Sequence, residues 1–75
     1  MENIYEVNFY EYIMYGVGEQ DTVFRDCLFF SDYEKVSKHL KLNGYYPKVG
    51  DNEDVYLTWG NGRGMIVKVF QRELL

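Results

Sequence analysis

Apolar and polar residues alternate from Ile4 to Tyr15. Tyr5, Val7, Phe9, Ile13 and Tyr15 fall on one side, interrupted only by Glu11, while Glu6, Asn8, Tyr10 and Tyr12 fall on the other. A period of two with this density of aromatic residues predicts a half-buried strand. Gly16 to Asp21 breaks the pattern. Thr22 to Phe30 resumes it with Val23, Phe24, Cys27, Leu28, Phe29 and Phe30, so the two runs predict a long hairpin.

The period then changes. Ser31-Asp32-Tyr33-Glu34 places a serine three residues ahead of a glutamate, the spacing at which the two can reciprocally satisfy the first free donors of a helix. Tyr33, Val36 and Leu40 fall on one helical face, with Lys35, Lys38 and Lys41 directed outward. Asn43-Gly44 tolerates the left-handed conformation at a helix end, and Pro47 prevents continuation. After a polar loop over residues 48–53, strands are predicted at Val55 to Trp59 and at Met65 to Phe70, with Val55, Leu57 and Trp59 facing the same core as Met65, Val67 and Val69. The order strand, strand, helix, strand, strand predicts a single α+β domain over residues 1–75. It consists of a small antiparallel sheet of about four strands with one helix packed on one face.

Between the last two strands lies Trp59-Gly60-Asn61-Gly62-Arg63-Gly64. A phosphate-binding loop needs a helix after it, so that amides and the helix dipole converge on the anion. Here a strand follows. Asn61-Gly62 between two β-rich runs instead predicts a tight hairpin in which both residues take positive φ, with Gly60 and Gly64 allowing a wider loop or bulge.

Composition narrows the function. A chain of 75 residues can bury only about 60% of its unfolded surface, but eight Tyr and five Phe supply apolar area for a thin core. Cys27, the one cysteine, excludes an intramolecular disulfide and fits a reducing, cytoplasmic setting. No apolar stretch approaches the roughly 20 residues that span a bilayer, and no basic segment precedes an apolar run at the N-terminus, so neither membrane insertion nor secretion is expected. With His39 the only histidine and no serine-and-acid arrangement beside it, no nucleophilic triad can be assembled, and the expectation is a protein that is not an enzyme. Asp51-Asn52-Glu53-Asp54 is oxygen-rich but lacks the glycine and distant glutamate of a calcium loop, so neither metal nor cofactor is expected.

Charge is distributed unevenly. The net charge is −4, but residues 1–34 carry eight acids against Arg25 alone, whereas residues 35–75 carry seven bases against four acids. Such asymmetry marks either a surface for a charged partner or two halves that pair with each other. Tyr10, Tyr12, Tyr15, Tyr45, Tyr46 and Tyr56 exceed what so small a core can hold, and exposed tyrosine is characteristic of surfaces that bind protein. The expected partner-binding residues are therefore Glu6, Tyr10, Glu11, Tyr12, Glu19 and Asp21, an acidic, tyrosine-bearing surface on the first hairpin. The partner is another protein, or a second copy of the chain. The rival is a nucleic-acid-binding module using the Lys35, Lys38 and Lys41 face of the helix. Against it, Glu6 and Glu11 beside Tyr10 and Tyr12 would repel phosphate from the sheet.

The segment Phe29 to Pro47, FFSDYEKVSKHLKLNGYYP, resembles the strand, helix, glycine and aromatic segment found in many small phage- and prophage-encoded proteins. The resemblance covers about a quarter of the chain. It implies an accessory role, that of a small acidic protein which binds and inhibits a host or defence protein.

Overall fold

The computed structural model describes residues 2–14, 16, 18, 20–48 and 57–74. These form a five-stranded antiparallel sheet and one helix: β1 (Glu2–Met14), β2 (Gln20–Phe30), α1 (Tyr33–Leu42), β3 (Tyr46–Pro47), β4 (Thr58–Gly60) and β5 (Met65–Leu74). The strand order is β2-β1-β5-β4-β3. The α+β class and the covering helix agree with the sequence, but the sheet has a fifth strand. Tyr46 pairs with Gly60 and Pro47 with Trp59, so the residues that follow the helix close one edge of the sheet. That edge suits a proline, which has no N–H to offer a further neighbour. The strand expected from Val55 to Trp59 is described only from Thr58 to Gly60. Val55, Tyr56 and the acidic run Asp51 to Asp54 lie outside the described residues.

Among the described residues, the buried apolar core lies entirely on the helix side. Val7 and Phe9 from β1, Trp59 from β4, and Val67 and Val69 from β5 meet Val36 and Leu40 of α1, with Tyr5, Leu28, Phe30, Tyr33, Tyr45 and Met65 around them. Leu57, expected in this core, is 43% exposed. A ten-residue helix is ~15 Å long, whereas the thirteen residues of β1 extend ~43 Å and the molecule measures 47 Å along its longest axis. The helix therefore covers only a fraction of one face.

Helix α1 begins one residue later than the serine-led reading placed it. Asp32 is the N-cap: its backbone is extended, and its carboxylate accepts a bond from the Lys35 amide at 2.8 Å. Ser31 serves Lys35 in another way, its Oγ accepting from Nζ at 3.0 Å. At the other end Asn43 caps the helix and Gly44 takes φ of 84°, as the Asn-Gly pair indicated.

The β4–β5 connection also departs from the two-residue turn. Gly62 and Gly64 have φ of 72° and 95°, while no described non-glycine residue has positive φ, so Asn61 does not share the left-handed geometry. Its side chain does the organising instead. Asn61 Oδ1 accepts from the amides of Arg63 at 2.7 Å and Met65 at 3.0 Å, closing a four-residue loop.

Candidate functional site

The sheet has a second face, and among the described residues no helix or loop is packed over it. Strand register decides what stands there. On β1 the even-numbered residues turn away from the helix, and across the sheet they line up with Phe29, Cys27, Phe24 and Thr22 of β2 and with Ile66, Lys68, Phe70 and Arg72 of β5. One row runs Phe24, Tyr10, Ile66, Gly60, Tyr46; the next runs Cys27, Asn8, Lys68, Thr58; a third runs Phe29, Glu6, Phe70. Phe24 and Phe29 remain 55% and 57% exposed, and Tyr46 69%. Exposed aromatic side chains thus stand in the first and third rows, with Cys27, Asn8, Lys68 and Thr58 between them, and this many on one face is more than singly scattered surface residues.

Charged groups frame the patch. Lys68 Nζ lies 5.8 Å from the centroid of the Tyr10 ring, and the Arg72 guanidinium lies 5.3 Å from that of Phe70. Arg72 also approaches Glu6, Nη2 to Oε2 at 3.6 Å, and Glu6 Oε2 accepts from Asn8 Nδ2 at 3.0 Å. That bond accounts for Asn8 being the one buried polar residue among the described side chains. Cys27 stands beside this group. Burial raises its thiol pKa above the ordinary value, and the nearby carboxylates of Glu6 and Asp26 act in the same direction.

At one end of the face the missing side chain of Gly60 leaves a shallow groove of about 470 Å³ bordered by Tyr12, Tyr46, Lys48 and Ile66. The Lys48 stem lies over Gly60, its Cε 2.9 Å from where a Cβ would be, so a side chain at this position would displace the end of the lysine. On the helix side, His39 packs against the Phe30 ring at 5.3 Å. Among the described residues no group of three His, Cys, Asp or Glu is placed to hold a metal ion.

The hairpin residues expected to bind a partner are thus divided between surfaces. Glu6, Tyr10 and Tyr12 share the open face. Glu11, an odd number of residues from each, lies on the helix side and pairs with Arg25 at 3.3 Å. Asp21 is at the sheet edge, where its Oδ1 accepts from the Thr22 amide at 2.8 Å. Glu19 lies outside the described residues. The described acids therefore do not form one patch, and the open face carries Lys48, Lys68 and Arg72 against Glu6. Sequence reasoning missed Phe24, Phe29, Phe70 and Ile66 as surface residues because each reads as core. The signal available for Phe70 and Ile66 was their even spacing from Lys68, out of phase with Val67 and Val69.

The free edge of β2 is blunted. Tyr12 donates to the Gly64 carbonyl at 2.6 Å, toward β5, so its partner Thr22 directs its own amide outward, where Asp21 takes it. Asp26 takes the Cys27 amide in the same manner at 2.8 Å. No helix among the described residues is long and apolar enough to cross a membrane. Comparison with protein-family models, curated proteins and solved structures returned no significant match.

Proposed function

We propose that this chain is a non-catalytic protein-binding module, working in the reducing cytoplasm, that docks its partner on the open face of the sheet. The observation that carries this reading is the row Phe24, Tyr10, Ile66: exposed or half-buried apolar side chains on a sheet face that no described helix or loop covers, with Glu6, Lys68 and Arg72 around them. An apolar, aromatic centre inside a charged rim is the anatomy of a protein interface. At ~25 cal/mol per Å² and roughly 200 Å² per ring, taking the exposed half of Phe24 out of water is worth about 2.5 kcal/mol, before the costs of association.

The tyrosines of the acidic-surface expectation remain in this reading, but the acids move to the margin. Glu6 is already held by Arg72 and Asn8, and Glu11 by Arg25. The nucleic-acid alternative is weakened at the helix, because Lys35 is engaged by Ser31 and Asp32. An accessory, inhibitory role of the kind implied by the Phe29 to Pro47 resemblance requires only such a docking surface. The test compares proteins retained from cells by the wild type, by Phe24→Ser/Phe29→Ser, and by Glu11→Lys/Asp21→Lys. Loss of retention in the phenylalanine pair alone supports the reading, whereas loss in the acid pair alone contradicts it.

A further inference from the structure

We infer that the occupant of the open face is a second copy of the same chain, packed sheet against sheet. The inference rests on the docking reading above and names the partner it leaves open. Three observations lead to it.

The first is the one-sided core. Among the described residues the seven buried apolar side chains are all gathered on the helix side, and the helix spans only part of that side. A domain of this size is marginal on one thin core, and oligomerisation is a common remedy where, as here with a single cysteine, no intramolecular disulfide can form. An occupant that stabilises the fold must be present whenever the chain is present. A second copy meets that condition at any concentration above the dissociation constant.

The second is size and charge. Three long strands at ~4.8 Å spacing over ~33 Å, with the short strands beside them, give a face of roughly 550 Å² in projection, so two such faces remove on the order of 1,100 Å² from water. That clears the lower bound of about 1,000 Å² for a specific interface. A two-fold contact also requires a patch that complements itself, and this face carries both signs, with Glu6 beside Arg72 and Lys68 over Tyr10. A two-fold axis through the patch would let Glu6 of each chain meet a cation of the other.

The third is that the alternative route is obstructed. Pairing of two β2 edges would need the outward amides of Thr22 and Cys27, which Asp21 and Asp26 already occupy, and an irregularity in the ladder opposite Phe9 and Tyr10 further disrupts that edge. Association by the face encounters no such obstacle.

The experiment is sedimentation equilibrium of the full chain from low to high micromolar concentration, run for wild type, Phe24→Glu, Phe29→Ser and, as a helix-side control, Glu34→Lys. Wild type and Glu34→Lys are expected to reach the dimer mass with the same dissociation constant. Phe24→Glu and Phe29→Ser should weaken it by ~tenfold or more while keeping the wild-type circular dichroism spectrum, since neither ring belongs to the core. If one variant unfolds, the other carries the result. A wild type that stays monomeric at high micromolar concentration overturns the inference. If such a monomer still retains a different protein that the phenylalanine variants lose, the docking reading survives. If it instead binds oligothymidylate with strong salt dependence, lost in Lys68→Glu, both are overturned. A dimer equally strong in all four proteins places the contact elsewhere and overturns the inference, while the docking reading then stands or falls with the retention test above.

Discussion

Phe24 stands opposite Tyr10 with ring centroids 5.9 Å apart and planes at 72°, an edge-to-face contact, because one extra residue has been let into β2. Phe9 pairs with Asp26 and Tyr10 with Phe24, leaving Arg25 without a counterpart on β1. This bulge decides which side chains of the distal half of β2 reach the open face, and it leaves Arg25 beside Glu11 on the helix side.

Deleting Arg25 is expected to be mild, because Asp26 and Phe24 would then oppose Phe9 and Tyr10 as an ordinary ladder. The loss is an exposed ion pair, worth about 0.2–1 kcal/mol. Urea melts check this: a cooperative transition within about 1 kcal/mol of wild type agrees with the bulge, and loss of cooperative folding contradicts it.

The helix start gives a sharper contrast. Asp32→Ala removes the carboxylate that accepts from the Lys35 amide and is expected to cost about 1 kcal/mol, whereas Ser31→Ala removes only an exposed bond to a lysine head group and should cost a few tenths. Equal costs in chemical denaturation, or a larger one for Ser31→Ala, would place the cap where the sequence first put it.

In the β4–β5 loop the two central residues should fail for different reasons. Gly62→Val strains a backbone with φ of 72°, at a cost of roughly 1 kcal/mol or more. Asn61→Ala leaves the amides of Arg63 and Met65 without their acceptor, at about 1 kcal/mol, and Asn61→Asp should recover most of it because a carboxylate oxygen can accept both bonds. Asn61→Gly, which would suit a positive-φ turn, should not rescue stability.

Much of this fold was legible because periodicity is a local property. The change from a period of two to a helical one marked the start of α1 to within one residue, and Ser31 next to Asp32 offered two capping residues of nearly equal merit. Val7, Phe9, Val36, Leu40, Trp59, Val67 and Val69 were readable as core for the same reason. Strand β3 was not, because two residues containing a proline carry no strand pattern and gain their pairing only from β4. The site was the least legible part. Glu6 and Glu11 are five apart, and that odd spacing alone puts them on opposite faces of a strand, a signal present in the sequence but overridden by grouping the acids by charge. Which residues of β5 lie beside Tyr10, and which way Phe24 turns, depend on long-range register and on a bulge with no sequence mark.

Alkaline pH should reveal Cys27 and Tyr45. Burial raises both groups, and Glu6 and Asp26 add to the effect at Cys27. A folded-state pKa above the unfolded one contributes stability that is complete below the ordinary thiol and phenol ranges and is lost as pH rises through the raised values. The melting temperature is therefore expected to fall on the alkaline side. Thiol labelling at neutral pH should be slower in the folded chain than in urea, and Glu6→Gln should quicken it. Labelling in the folded state as fast as in the unfolded state would contradict that environment.

Whether this chain meets its own copy on the open face can be read from amide chemical shifts followed through a dilution series of the isotopically labelled wild type. Concentration-dependent shifts are expected at Glu6, Asn8 and Tyr10, at Phe24, Cys27 and Phe29, and at Ile66, Lys68 and Phe70, with Glu34, Lys38 and Lys41 of the helix unchanged. Shifts confined to the helix, or spectra identical from low to high micromolar concentration, would contradict it.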